Sequence, residues 1–308
     1  MKKEKILDLV IIGAGPAGLT AGIYSSRAKL DFIILENELV GGQIRETPSI
    51  ENFPGFDSIS GADLADKMQE HAEKAGAVID EFGNITSVKL TDTEKIIETS
   101  DTIYKPKSVI IATGSKSRPL PVPEEKKLRG KGIHYCELCD GAMYDGKDIV
   151  VVGGGNSAID AAIFLTKYAK NLTVVHRSEK LRAEMRSQDE LFKHNNVKLL
   201  LNTQIKHVEG ENSIENIVLE NSKTGEKSSL KADAIFVYIG TMPKTELFKD
   251  FIDLTELGHI KTNENLETNI KGVFAAGDVR EKEIRQLTTA VNDGSIASLM
   301  AEKYIRNS

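Results

Sequence analysis

Ile6-Leu7-Asp8-Leu9-Val10-Ile11-Ile12-Gly13-Ala14-Gly15-Pro16-Ala17-Gly18 is the stretch on which the fold depends. A run of strand length leads straight into Gly-x-Gly-x-x-Gly, and Leu19 to Ala28 continues it as a helical segment. In a strand–turn–helix unit the first glycine permits the tight turn and the second lets a pyrophosphate approach the backbone. The third lets helix and strand pack closely, and the phosphate then meets a helix N-terminus. The next strand, Asp31 to Leu35, ends at Glu36, which follows Gly13 by 23 residues and is suited to bond a ribose hydroxyl. A plain glycine turn with a solvated Glu36 would explain each feature alone but not their conjunction.

Farther along, Asp148 to Val152 leads into Gly153-Gly154-Gly155-Asn156-Ser157-Ala158 and an apolar-periodic segment to Tyr168. This is the same motif again, with Ala158 in place of the third glycine, a change that the fingerprint allows. Here the following strand, Leu172 to Val175, ends in His176-Arg177 instead of an acid, with Arg182 five residues on. Arginine there favours a 2′-phosphate, hence NADP over NAD; the alternative is two solvated arginines.

The copies share a wider plan. Segments near Val78, Val88 and Ile96 read as a small antiparallel insertion, and Ser108 to Thr113 and Gly114 as a buried strand with a glycine turn. Segments near Val197, Ile205, Ile217 and Leu230 repeat the insertion, and Ala234 to Gly240 repeats the buried strand. Gly61 to Ala75 carries Leu64, Met68, Ala72 and Ala75 at helical spacing, with His71 on the solvent side. Gly41-Gly42-Gln43 and Glu51-Asn52-Phe53-Pro54-Gly55 bracket an irregular stretch of the kind that wraps a ligand or crosses a surface. Ser115 to Lys131, with Pro119, Pro121 and Pro123, reads as an extended connector. Gly272 to Asp278 is a short apolar strand whose terminal carboxylate can meet a ribityl or ribose hydroxyl, followed by Arg285-Gln286 and a helix from Leu287. If that strand closes the first sheet, the expected fold is α/β with two Rossmann-like dinucleotide-binding domains, the second inserted into the first.

Between the two motifs lie the only cysteines of the 308-residue chain, Cys136-Glu137-Leu138-Cys139, followed by Asp140-Gly141. A zinc site needs a second ligand pair, which is missing, and the polar flanks differ from the apolar setting of inert thiols. The spacing points to a redox-active disulfide, and Asp140 is placed to supply or relay the proton that a departing sulfur needs. Otherwise Asp140 is a turn residue before Gly141.

Composition narrows the partners. A length of 308 residues favours two domains, and 40% hydrophobic with 28% charged residues supports ordinary cores. A net charge of −6 gives no basic footprint for nucleic acid, and no Lys/Arg cluster suggests a membrane surface. The N-terminus superficially resembles a signal peptide, but Asp8 interrupts it and the glycine motif follows at once. No apolar run of spanning length occurs, and the expected location is cytoplasmic, where a lone C-x-x-C is more often catalytic than structural.

In their order along nearly the whole chain, the two glycine motifs, Gly41-Gly42-Gln43, Glu51 to Gly55, Cys136 to Gly141, and Gly272 to Asp278 with Arg285-Gln286 resemble the bacterial low-molecular-weight thioredoxin reductases. The resemblance implies FAD in residues 1–115 and 245–308, on Gly13, Gly15, Pro16, Ala17, Gly18, Glu36, Gly42, Gln43, Asn52, Thr113, Gly114, Asp278, Arg285 and Gln286. It implies NADPH in residues 116–244, on Gly153, Gly155, Asn156, Ser157, Ala158, His176, Arg177 and Arg182. It further implies a homodimer with thioredoxin or a thioredoxin-like protein as substrate, Cys139 exchanging electrons with the flavin and Cys136 attacking the partner. One position departs: Ser178 stands where the family has a second arginine, which leaves room for NADH. Two rival expectations are a reductase of a peroxiredoxin or glutaredoxin-like protein, and a nucleotide-binding redox sensor without turnover.

Overall fold

The computed structural model describes residues 2–47 and 50–308, the side chains of Glu46 and Cys139 excepted. It divides into two compact units, Met1–Lys116 with Met242–Ser308 and Ser117–Thr241, so the second interrupts the chain of the first.

In the first unit Lys3–Ile12 is a central strand, parallel to Phe32–Leu35 on one side and to Thr102–Ile111 on the other. Ile79–Asp80 extends the sheet beyond Phe32–Leu35, and Val273–Ala275 lies against the far edge of Thr102–Ile111, both parallel. Successive side chains of a strand point to opposite faces. Leu9 and Ile11 accordingly join one core with Leu19, Ile110, Phe274 and Ala297, while Val10 and Ile12 join another with Val109, Ile111, Phe248 and Ile252. Burial on both faces is why the strand reads as an almost unbroken apolar run. Each such side chain, fully buried, stabilises the unit by about 1.5–3 kcal/mol.

Thr102–Ile111 belongs to two arrangements at once. Its first residues pair antiparallel with Lys95–Glu98, which pairs in turn with Ser87–Leu90, and its last three pair with Val273–Ala275. The antiparallel insertion expected near Val88 and Ile96 is therefore present, but the segment near Val78 is not part of it. The helix Gly61–Ala75 starts at Ser60, whose hydroxyl accepts from the Asp63 amide at 3.1 Å, and stops at Gly76 with φ 109°. A crossover helix returns the chain parallel to the strand it left. The Ile34 amide consequently donates to the Val78 carbonyl at 2.9 Å, and the chain enters the parallel edge strand.

The second unit repeats the plan. Its parallel sheet runs Val197–Leu200, Asn171–Val175, Asp148–Val152, Ala234–Val237, Ile133–His134. Thr203–Glu209, Asn216–Asn221 and Lys227–Leu230 form a separate antiparallel sheet. Val197, expected in that insertion, lies in the parallel sheet instead, for the same crossover reason as Val78. The segment read as an extended connector is also partly core. Pro119, Pro121 and Pro123 alternate with Leu120 and Val122, which are buried with Leu128, Val150 and Ile235. Among the described residues no helix is long and apolar enough to cross a membrane.

Candidate active site

At the first glycine turn the three glycines meet different demands. A Cβ on Gly13, at φ 105°, would lie 2.4 Å from the Ala112 carbonyl oxygen, and one on Gly18 would lie 1.8 Å from the Gly13 oxygen. Gly15, at φ −75°, would meet nothing within 4 Å. No protein atom requires glycine there, so the space that it leaves is available to a ligand approaching the backbone. Pro16 and Ala17 open the helix Pro16–Arg27 beneath that space. Glu36 closes one side: its Oε2 accepts from the Ala14 amide at 2.7 Å, and its Oε1 from the Asn37 and Glu38 amides at 2.8 and 2.9 Å. Gly42, at φ 60°, closes another, since its Cβ would lie 3.3 Å from Gly15 Cα.

Other expected contact residues gather in the same unit. Gln43 Nε2 donates to the Ser115 carbonyl and hydroxyl at 2.6 and 2.9 Å, and Asn52 Nδ2 donates to Gln286 Oε1 at 3.3 Å. Thr113 donates to the Lys244 carbonyl at 2.8 Å, and the Gly114 carbonyl accepts from the Lys244 amide at 3.0 Å. Asp278 Oδ1 and Arg285 Nε are buried without a hydrogen-bond partner, although Lys282 Nζ stands 3.5 Å from that carboxylate oxygen. A buried polar atom left unpaired costs about 1–3 kcal/mol. Two of them on residues expected to hold a flavin nucleotide fit a polar ligand there.

Sequence reasoning missed the cluster that supports Asp278. Asp293 is 1% exposed in the helix Leu287–Asn307 and accepts from the Gly277 amide at 3.0 Å, from Arg280 at 2.9 and 3.0 Å and from Lys282 at 3.1 Å. Burial pushes its carboxyl up, but Arg280 and Lys282 together outweigh burial and hold it below the usual carboxylate range. Asp293-Gly294 inside an apolar-periodic helix was the one available signal.

The second turn repeats the first. A Cβ on Gly153 would lie 2.3 Å from the Tyr238 oxygen, whereas one on Gly155 would meet nothing within 4 Å. Ala158 is buried, Ser157 is exposed at the start of Asn156–Leu165, and Asn156 Oδ1 accepts from the Glu184 amide at 2.8 Å. His176 does not project outward. It is 4% exposed, its ring faces Gly154, and its Nε2 donates to the Lys180 carbonyl at 3.1 Å. Burial, assisted by Arg182 and Arg177 and opposed by the Lys180 contact, lowers its pKa. Arg177 and Arg182 are exposed, and the Arg182 amide donates to the Gly154 carbonyl at 2.6 Å.

Cys136 is disulfide-bonded and 8% exposed. It precedes the helical turn Glu137–Asp140, in which the Asp140 amide donates to the Cys136 carbonyl at 3.2 Å. The side chain of Cys139 lies outside the described set. Glu137 is buried, accepts from the Tyr238 hydroxyl, and has its pKa raised by burial against that hydrogen bond. Asp140 Oδ2 lies 2.9 Å from His134 Nδ1, and His134 Nε2 lies 2.8 Å from the Tyr144 hydroxyl.

Comparison with known proteins identifies the family. The model of the family described as pyridine nucleotide-disulphide oxidoreductase matches residues 7–294. The chain is 70% identical over 305 residues to a Clostridium pasteurianum protein described as a 34.2 kDa protein in the rubredoxin operon, covering 99% of each. It is 44% identical over 306 residues to the thioredoxin reductase of Bacillus subtilis, covering 99% of this chain and 96% of that one. The crystal structure of Lactococcus lactis thioredoxin reductase in its FR conformation superposes with a TM-score of 0.95 at 39% identity, covering 98% of this chain and 100% of that one.

Proposed function

Because this chain belongs to the pyridine nucleotide-disulphide oxidoreductase family, we propose that it is a thioredoxin-disulfide reductase, with a flavin as FAD and a pyridine nucleotide as its donor. The observation that carries the reading is the pair of cradles at Gly15 and Gly155, where a Cβ meets no protein atom, in a chain that also holds a disulfide-bonded Cys136. A binding protein needs one nucleotide cradle; a relay between donor and disulfide needs two.

In this reading the unit of residues 1–116 and 242–308, whose bounds differ by one to three residues from those expected, binds FAD. Gly13 to Gly18 and Gly42 take the pyrophosphate, Glu36 a ribose hydroxyl, and Asp278, Arg285 and Gln286 the polar groups of the chain and ring, with Gln43, Asn52, Thr113 and Gly114 completing the enclosure. The unit of residues 117–241 binds the donor, with Gly153 to Ala158 on its pyrophosphate. His176 contributes by bracing Gly154 from beneath, and Arg177 and Arg182 are the cations available to a 2′-phosphate. NADPH is favoured over NADH by a small margin, since Ser178 offers only a neutral hydroxyl and Glu179, 2.7 Å from Lys223, adds a carboxylate to the same loop.

When bound, FAD supplies the two-electron step between nicotinamide and disulfide. The protein's own part is thiol chemistry. Cys139 receives the electrons, Cys136 attacks the thioredoxin disulfide, and Asp140 gives a proton to the departing sulfur. The same reading makes the enzyme a cytoplasmic homodimer. Purified protein tests it: a flavin spectrum, bleaching by NADPH or NADH, and donor oxidation that depends on oxidised thioredoxin are expected. Donor oxidation without any disulfide dependence would overturn it.

A further inference from the structure

His134 ends the strand Ile133–His134, its side chain is 1% exposed, and both ring nitrogens are engaged. Asp140 only accepts when ionised, so in the neutral imidazole Nδ1 carries the hydrogen toward Asp140 and Nε2 accepts from the Tyr144 hydroxyl. Phe236 stacks on the ring at 5.3 Å and 27°, and Tyr144 meets it edge-on at 5.3 Å, so one face and the Nε2 edge of the imidazole are held. A histidine that merely filled the core could satisfy a ring nitrogen on a backbone group, as His176 does through Nε2. This one links a phenol to the carboxylate that directly follows Cys139.

We infer that His134 is the positioning residue for Asp140, and that Tyr144, His134 and Asp140 form a relay which holds and releases the proton exchanged between sulfurs. The inference rests on the thiol–disulfide reading given above. In the closing step Cys139–SH plus the mixed disulfide Cys136–S–S–R gives Cys136–S–S–Cys139 plus R–SH. The Cys136–Cys139 bond forms, the Cys136–R bond breaks, and the electron pair of that bond leaves on the sulfur of R. The His134–Asp140 pair takes the Cys139 proton as that sulfur becomes a nucleophile and hands it to R. Atoms and electrons balance without another reactant.

The charges around the relay suit this role. Burial raises the pKa of Tyr144, reinforced by Asp140 and Asp233, and keeps it a neutral phenol. Lys147 lies 3.9 Å from Asp233, Phe236 presents only its apolar face, and Glu137 on the adjoining turn is engaged by Tyr238.

Holoenzyme variants test the relay with an aromatic disulfide, whose thiolate departs without a proton, and with cystamine, whose alkyl thiolate needs one. His134→Asn is expected to lower kcat for thioredoxin about tenfold with KM within about twofold, and to lower the cystamine-to-aromatic rate ratio about tenfold. Tyr144→Phe, which keeps the ring, should lower that ratio in the same direction by less. Because His134 acts through Asp140, the His134→Asn/Asp140→Asn double variant should be no slower than Asp140→Asn alone. Equal losses on both disulfides, or additive losses in the double variant, overturn the proposal. If the wild-type enzyme reduces cystamine but not thioredoxin, the partner reading fails while the relay is still decided on cystamine. If it reduces neither disulfide, both readings fail.

Discussion

A side-chain carbon on Gly42 would stand 3.3 Å from the Cα of Gly15, while one on Gly15 itself would meet no protein atom within 4 Å. The two loops thus bound a space that the chain leaves unfilled. Gly15→Ala is expected to cost the apoprotein at most about 1 kcal/mol, since its φ is open to any residue. It should nonetheless weaken flavin binding by tenfold or more, read as flavin per chain after gel filtration. Gly13→Ala should differ, because its Cβ would lie 2.4 Å from the Ala112 oxygen at φ 105° and the fold itself is then compromised. Full flavin content in Gly15→Ala would refute the assignment of that space.

Asp293 gathers Arg280, Lys282 and the Gly277 amide in a buried position. Its carboxyl is held below its usual value, so it contributes stability that is present above the unfolded-state pKa of about 3.9 and lost as pH falls through the folded value. Asp293→Ala leaves Arg280 without its carboxylate and Lys282 with only Asp278 at 3.5 Å, and should cost about 3–5 kcal/mol at pH 7. Asp293→Asn should flatten the part of the acid-unfolding curve that lies below pH 4. Denaturant melts between pH 3 and 7 provide the measurement, and an unchanged slope in the asparagine variant would contradict the assignment.

Cys136→Ser removes the sulfur proposed to attack the partner and no group that binds either nucleotide. Rapid-mixing absorbance should show the flavin still bleached by the nicotinamide donor, while thioredoxin reduction falls to background. Thioredoxin turnover in this variant would reverse the roles of the two cysteines.

In the proposed donor site, Arg177, Arg182 and Ser178 are the groups that would discriminate a 2′-phosphate. We expect kcat/KM for NADPH to exceed that for NADH, but by a ratio about tenfold or more below that with a second arginine at position 178, because a charge-assisted contact is worth about 1.5–3 kcal/mol and that group is neutral here. Arg177→Ala should raise KM for NADPH several-fold and leave NADH nearly unchanged. Steady-state kinetics with both donors decide this, and equal or better kcat/KM for NADH would disprove the preference.

Much of the scaffold was readable from local pattern. Ile6 to Gly18 and Asp148 to Ala158 declared two strand–turn–helix units because steric demands at Gly13, Gly18 and Gly153 act between residues close in sequence or on adjacent strands. Gly61 to Ala75 was readable as a helix from the spacing of Leu64, Met68 and Ala72. Val78 and Val197 adjoin or open parallel edge strands instead of the expected antiparallel insertions, because an alternating apolar segment looks the same in either setting. What separates the two is the direction from which a crossover delivers the chain.

Two strand–glycine-turn–helix cradles, one C-x-x-C pair and a carboxylate beside it are legible in the chain because each is written in contiguous residues whose spacing follows from backbone geometry. Tertiary structure alone decided which groups those residues meet. Asn52 reaches Gln286 across 234 positions, Glu137 reaches Tyr238 across 101, and His134 finds Asp140 only because a strand end and a helical turn converge. Hydrogen bonds and ion pairs act over a few ångströms in space and carry no periodic signature along the chain, so they exist only once the two sheets have placed their ends.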